Sequence, residues 1–204
     1  VGYVEGAGDE IAEAIHQPGV PVTLLTADDL ARGDLSVYDT IVPGIRAYAV
    51  REDLRTYNQR LLDYANAGVT LVVQYNTDEI LALEFGPYPF TINRSHDRVT
   101  VEEAPVTLLE PDHPLLNLPN RLGPSDFEGW VQERGLCFLG EWDSRCTGIL
   151  ASSDPAEEPK AGGLGVARMD QGSYIYTGYA FFRQLQAGVP GAYRLFANLI
   201  SPGN

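Results

Sequence analysis

The segment Gln74-Tyr75-Asn76-Thr77-Asp78 stands where acyl-transfer chemistry on an α/β sheet would keep its nucleophile, yet it holds no serine or cysteine. Such chemistry uses a strained Gly-x-Ser-x-Gly or Gly-x-Cys-x-Gly elbow that exposes the reactive atom at a strand end. The flanking glycines are also missing here, and Thr77 has no nearby base. Two readings follow: a strand end whose polar groups satisfy a loop, or a strand end that binds a ligand. The histidines His16, His96 and His113 are far apart, and none has a partner at helical or hairpin ligand spacing. Asp112-His113-Pro114 is the one tempting cluster, and it reads as a structural turn. Cys137 and Cys146 lie nine apart, which is no zinc spacing. Free or partly buried thiols are the favoured state, with a disulfide or a metal pair open. No metal and no cofactor is expected.

A second kind of chemistry is written in the stretches from Asp126 to Gly135 and from Glu141 to Asp143, where aromatic residues sit beside carboxylates and guanidinium groups. Aromatic faces stack on the C–H faces of sugar rings, and the charged groups bond their hydroxyls. The same mix suits a surface docked on a partner, or ordinary packing. If a sugar is bound, Trp130, Trp142 and Tyr48 are the expected platforms. Arg46, Gln74, Asn76, Glu133 and Arg134 are then the polar contacts, with Tyr75 and Arg183 nearby on the same strand ends.

Strands and helices must bring these residues together. Tyr38 to Gly44 is a β-branched run closed by Pro43-Gly44, which suits a buried parallel strand. Glu52 and Asp53 open a helix whose Leu54, Tyr57, Leu61 and Tyr64 share a face, and Gly68 can end it in the left-handed conformation. Thr70 to Tyr75 is the next strand, completing a right-handed crossover. Ligands bind beyond the carboxyl ends of such strands, which here carry Gly44 to Tyr48 and Gln74 to Thr77. Earlier, Val1 to Val4 and Pro21 to Leu25 read as strands, with a helix from Glu10 to about His16. Gly6-x-Gly8 lacks the third glycine of a dinucleotide loop, and Asp9 and Glu10 would repel a pyrophosphate. From Thr77 to about Lys160 the helical periodicity fades, and seven of the 14 prolines fall between Pro87 and Pro124. That region is expected to be a β- and loop-rich insertion. Gly162 to Thr177 reads as a hairpin turning at Met169 to Gly172, and Pro190 starts a final helix buried through Leu195, Phe196, Leu199 and Ile200.

The 204 residues fit one domain, and 44% hydrophobic with 21% charged residues is the composition of a folded globular chain. No run approaches the roughly 18 apolar residues of a membrane span. Fourteen basic against 28 acidic residues give a net charge of −14, which opposes nucleic-acid and anionic-membrane binding. The chain starts directly on a strand without Met, so a domain cut from a longer protein is expected.

The strands around Ile41-Val42-Pro43-Gly44 and Thr70 to Tyr75, with the late hairpin to Thr177, resemble the glutamine amidotransferase-like fold in its ThuA-like branch. The resemblance implies an α/β fold: a flavodoxin-like parallel sheet flanked by helices. In those amidotransferases a nucleophilic Cys follows the strand matching Thr70 to Tyr75, and a His-Pro-Glu follows a late strand. Here Gln74-Tyr75-Asn76 and Tyr179-Ala180-Phe181-Phe182-Arg183 stand in those places, so no catalytic residue is expected. A closer resemblance is to the C-terminal module of some PIG-L (LmbE-type) deacetylases. It rests on Val1 to Asp9, Asn58 to Tyr64, Val72 to Asn76, Gly129 to Gly135 and Ala180 to Leu185. The resemblance implies a zinc-dependent N-acetylglucosaminyl-type deacetylase domain as the partner in the parent chain; its His-Pro-Asp-Asp motif is absent here. The expectation is therefore a non-catalytic accessory domain that binds glycan or docks on that catalytic domain. The alternatives are a hydrolase or sugar-modifying enzyme with a non-standard site, in which Glu133 pairs with a residue such as His113, and an oligomerisation domain.

Overall fold

The computed structural model describes residues 1–8, 10–77, 85–92 and 97–201. Five strands run parallel: β1 (Gly2–Val4), β2 (Thr23–Leu24), β3 (Thr40–Pro43), β4 (Thr70–Gln74) and β10 (Ser173–Thr177). Three more extend the same sheet antiparallel beyond β10: β9 (Lys160–Arg168), β8 (Cys146–Ser152) and β6 (Val106–Leu108). The eight-stranded order is β2-β1-β3-β4-β10-β9-β8-β6, and β5 (Phe90–Ile92) pairs with β7 (Leu139–Trp142) in a small second sheet. The expected α/β sheet is present, and the insertion does more than decorate it: β6 and β8 form its far side.

The strands read as continuous apolar runs because both faces are covered. Tyr3, Val42, Val72 and Ile175 point to one side, where helices α1 (Ile11–His16) and α7 (Pro190–Leu199) lay Ile11, Ile15, Leu195 and Phe196 against them. Their neighbours Val4, Ile41, Leu71, Val73, Tyr174 and Tyr176 point to the other side. There they meet Leu30 of α2 (Ala27–Arg32), Ala47 and Tyr48 of α3 (Ala47–Val50), Leu54 of α4 (Glu52–Thr56) and Leu61 and Ala65 of α5 (Asn58–Asn66). Each core strand thus feeds two layers through its two-residue period. The edge strand β2 has only two residues, both exposed.

Helix α2 is capped as its sequence suggests: Thr26 accepts from Asp29 N and Asp29 accepts from Thr26 N. Gly68 ends α5 with φ +111. The helix expected from Glu52 onward is broken at Tyr57. Asn58 turns inward there, accepts from Tyr48 Oη at 2.6 Å and donates to Phe85 O at 3.2 Å. No helix among the described residues is long and apolar enough to cross a membrane.

Candidate functional site

The carboxyl ends of β1, β3, β4 and β10 lie side by side along one edge of the sheet, where the crevice of an open parallel sheet is expected. Loop 5–8 lies against the turn after β3, where Ala7 N donates to Ile45 O at 2.8 Å. A Cβ on Gly6 would sit 1.9 Å from that same carbonyl, so only glycine allows this approach. Arg46 N donates to Tyr75 O at 2.8 Å, which ties the β3 and β4 ends together. Beneath them Asn76 accepts from Tyr48 N at 3.3 Å and donates to Gln74 O at 2.7 Å, while Gln74 Nε2 donates to Tyr3 Oη at 3.2 Å. Gln74 and Asn76 are fully buried, so they shape the floor and do not face a ligand.

Segment 131–137 of the insertion forms the opposite wall. Leu136 N donates to Gly178 O and Ala180 N donates to Arg134 O, both at 2.9 Å. Buried Gln184, in helix α6 (Phe181–Gln184), accepts from Val131 N at 2.8 Å and donates to Val131 O at 2.8 Å and Glu133 O at 3.2 Å. Tyr176 Oη donates to Cys137 O at 2.7 Å. The wall is therefore anchored on both sides of Glu133.

Tyr75 is the centre of the crevice. Its half-buried ring stacks on Phe182 with centroids 6.3 Å apart and planes 29° from parallel, and the Arg183 guanidinium lies 5.3 Å from the Phe182 ring. Burial pushes the Tyr75 hydroxyl up. The neighbouring Cys137 thiol and Glu133 push the same way, against Arg46. The hydroxyl stays protonated at neutral pH and serves as donor or acceptor. Arg46 (φ +49) and Cys137 (φ +54) both hold left-handed backbone without being glycine. Such conformations cost of order 1–3 kcal/mol and gather at functional sites.

The expected site residues divide. Arg46, Tyr75, Glu133 and Arg183 come together at the crevice, over Gln74, Asn76 and Tyr48. Tyr48 is not a sugar platform: its ring is fully buried against Phe85, 5.3 Å away, and its hydroxyl is bound to Asn58. Trp130 is not one either. It is 1% exposed, packed on Phe127, Tyr179 and Phe181, with Nε1 donating to Asp126 O at 2.8 Å. Arg134 is buried below the wall and donates to the carbonyls of Ala104 and Phe127. Trp142 is half-buried on the small sheet beside Cys146, apart from the crevice. Phe182 and Cys137 were not among the expected contacts, because ring stacking and a left-handed cysteine leave no mark in residue spacing.

The pairing of Glu133 with His113 does not form. His113 Nδ1 accepts from Leu115 N at 3.2 Å as a turn cap, and the charges that act on it are Glu110 and Arg168. His96 lies outside the described residues. Neither Cys137 nor Cys146 is in a disulfide among the described residues, and Thr77 is buried. Among the described residues no three His, Cys, Asp or Glu side chains gather as a metal set.

No family model and no curated protein matches the chain. Solved structures of similar fold do. A cytoplasmic protein of Salmonella typhimurium matches with a TM-score of 0.55 at 16% identity, over 92% of this chain and 83% of its own. The β-galactosidase of Rahnella sp. R3 matches with a TM-score of 0.53 at 16% identity, over 93% of this chain but only 26% of its own. A protein of Parabacteroides merdae described as ThuA-like matches with a TM-score of 0.51 at 11% identity, over 100% of this chain and 91% of its own. At these identities the likeness is one of fold, and it agrees with a ThuA-like, flavodoxin-like α/β architecture.

Proposed function

We propose that this chain is a non-catalytic accessory module of a PIG-L-type N-acetylglucosaminyl deacetylase, and that its strand-end crevice holds a glycan. The observation that carries the reading is the Tyr75–Phe182 stack, half-buried and bordered by Arg46, Glu133 and Arg183. An aromatic face edged by guanidinium and carboxylate groups is the chemistry that sugar rings need. The platforms thus move from the tryptophans to Tyr75 and Phe182. The role is tested by joining the module to the catalytic domain and assaying oligosaccharide deacetylation. The reading expects a lower KM with kcat unchanged, since the module adds substrate binding alone. An unchanged KM contradicts it.

One observation favours a second reading, a hydrolase with a non-standard site. Cys137 holds left-handed backbone and its thiol acts electrostatically on the Tyr75 hydroxyl. Such an enzyme would release acetate or reducing ends from N-acetylglucosamine oligomers, and Cys137→Ser would abolish it. No release by the unmodified chain excludes this reading. The oligomerisation reading lacks a focus: exposed Leu24 lies on β2 and exposed Leu109 follows β6, at opposite edges of the sheet.

A further inference from the structure

Behind the crevice wall lies a separate cleft of about 420 Å³, between segments 102–106 and 124–130. Its size falls in the range of roughly 300–1,000 Å³ typical of small-molecule sites. Pro105, Val106, Pro124 and Phe127 make apolar walls, and Glu102, Glu103 and Glu128 are exposed at its mouth. Glu102 accepts from Gln132 N at 2.9 Å, whereas the side chains of Glu103 and Glu128 have no hydrogen bond or ion pair among the described residues. The base is Arg134, 1% exposed.

Arg134 is the unusual member. Its Nη atoms bond two neutral carbonyls, one from each segment, and no carboxylate lies within ion-pair distance of it among the described residues. Its Nε is buried and has no hydrogen-bond partner among the described residues. Burial lowers the guanidinium's affinity for its proton, so its charge is held at a cost. An acceptor group reaching that edge would offset part of the cost.

The charge order selects the ligand. A simple anion would match Arg134 but must pass three carboxylates on a chain of net charge −14. A simple cation would suit the mouth but leave Nε unbonded and meet like charge at the base. We infer that the cleft binds a small zwitterion, an apolar α-amino acid or dipeptide, with its carboxylate on Arg134, its ammonium at Glu103 and Glu128, and its side chain on the proline and phenylalanine walls. This site is independent of the glycan reading and uses none of the exposed crevice residues.

Calorimetric titration of the full chain tests it with four probes: L-leucine, L-leucyl-L-leucine, N-acetyl-L-leucine and L-leucinamide. At least one zwitterion binds with a Kd in the millimolar range or tighter. Removing either charge weakens binding at least about tenfold, the scale of one charge-assisted hydrogen bond. Arg134→Met risks the fold, so the variant of choice is Glu103→Gln with Glu128→Gln. Both side chains are exposed, so the melting temperature holds while zwitterion affinity falls and the affinity for the anion N-acetyl-L-leucine does not fall. Three outcomes overturn the inference. One is no heat from any probe up to about 10 mM, well beyond a millimolar Kd. Another is leucinamide binding as well as the zwitterions, which marks a plain cation cleft. The third is N-acetyl-L-leucine binding as well, which leaves only the apolar walls.

Discussion

In the parallel half, Ile41 and Val42, or Leu71 and Val72, send successive side chains to two apolar layers, and the strands hold one another by backbone register. The insertion between residues 77 and 160 is pinned by a few polar side chains reaching across long sequence distances. Arg134 gathers the carbonyls of Ala104 and Phe127. Asp154 accepts from Thr100 N and Oγ1 and from Val101 N. Asn198, on α7, donates to Leu115 O and Asn120 O. A layered sheet tolerates loss by spreading it over many contacts, whereas a pinned loop depends on single groups. The crevice is built where the two meet: Arg46 and Tyr75 come from the first, Glu133 and Cys137 from the second.

The contrast can be broken from either side. Leu71→Ala removes a fully buried side chain from a central strand and is expected to cost about 3–4 kcal/mol, read in denaturant titration as loss of the whole fold. Arg134→Ala leaves two buried carbonyls without donors and should cost about 3 kcal/mol. Here amide exchange should rise first at residues 99–135, while β3 and β4 stay protected. If both regions lose protection together, the two are one cooperative unit. Asp154→Asn should cost about 1.5 kcal/mol and loosen the same segment. Burial pushes the Asp154 carboxyl up, but the bonds from Thr100 and Val101 outweigh it and hold it below the ordinary value. Its contribution is therefore complete above the unfolded value of about 3.9 and is lost as pH falls through the lower folded value. The variant's deficit should vanish in strong acid. Val37→Ser, exposed on a turn beyond the sheet, should change stability by less than about 0.5 kcal/mol.

The same division explains what could be read from the sequence. The strands at 40–43 and 70–74, the hairpin into β10 and the helix starting at Pro190 announce themselves through β-branched runs, a Gly turn and three-four spacing. That Arg46 and Tyr75 stand at the ends of two parallel strands was legible, because the strands that carry them are; that Glu133 acts on Tyr75 and Arg183 lies beside Phe182 was not. The burial of Trp130 and Arg134 was not, since their partners lie on segments whose approach no local pattern encodes. The break at Tyr57 was hidden for the same reason: the periodicity runs through it, and only the bond between Asn58 and Tyr48 explains it.

The most direct test of the glycan crevice is thermal denaturation with N-acetylglucosamine and its oligomers. A ligand at about 20 times its Kd adds roughly 1.8 kcal/mol to folding stability. For a chain of this length that raises the melting temperature by about 4–7 °C. The account predicts a rise with at least one oligomer that disappears in Phe182→Ala and persists in Trp142→Ala. An equal rise in Phe182→Ala, or no rise with any of these sugars at about 10 mM, well above a millimolar Kd, would contradict it.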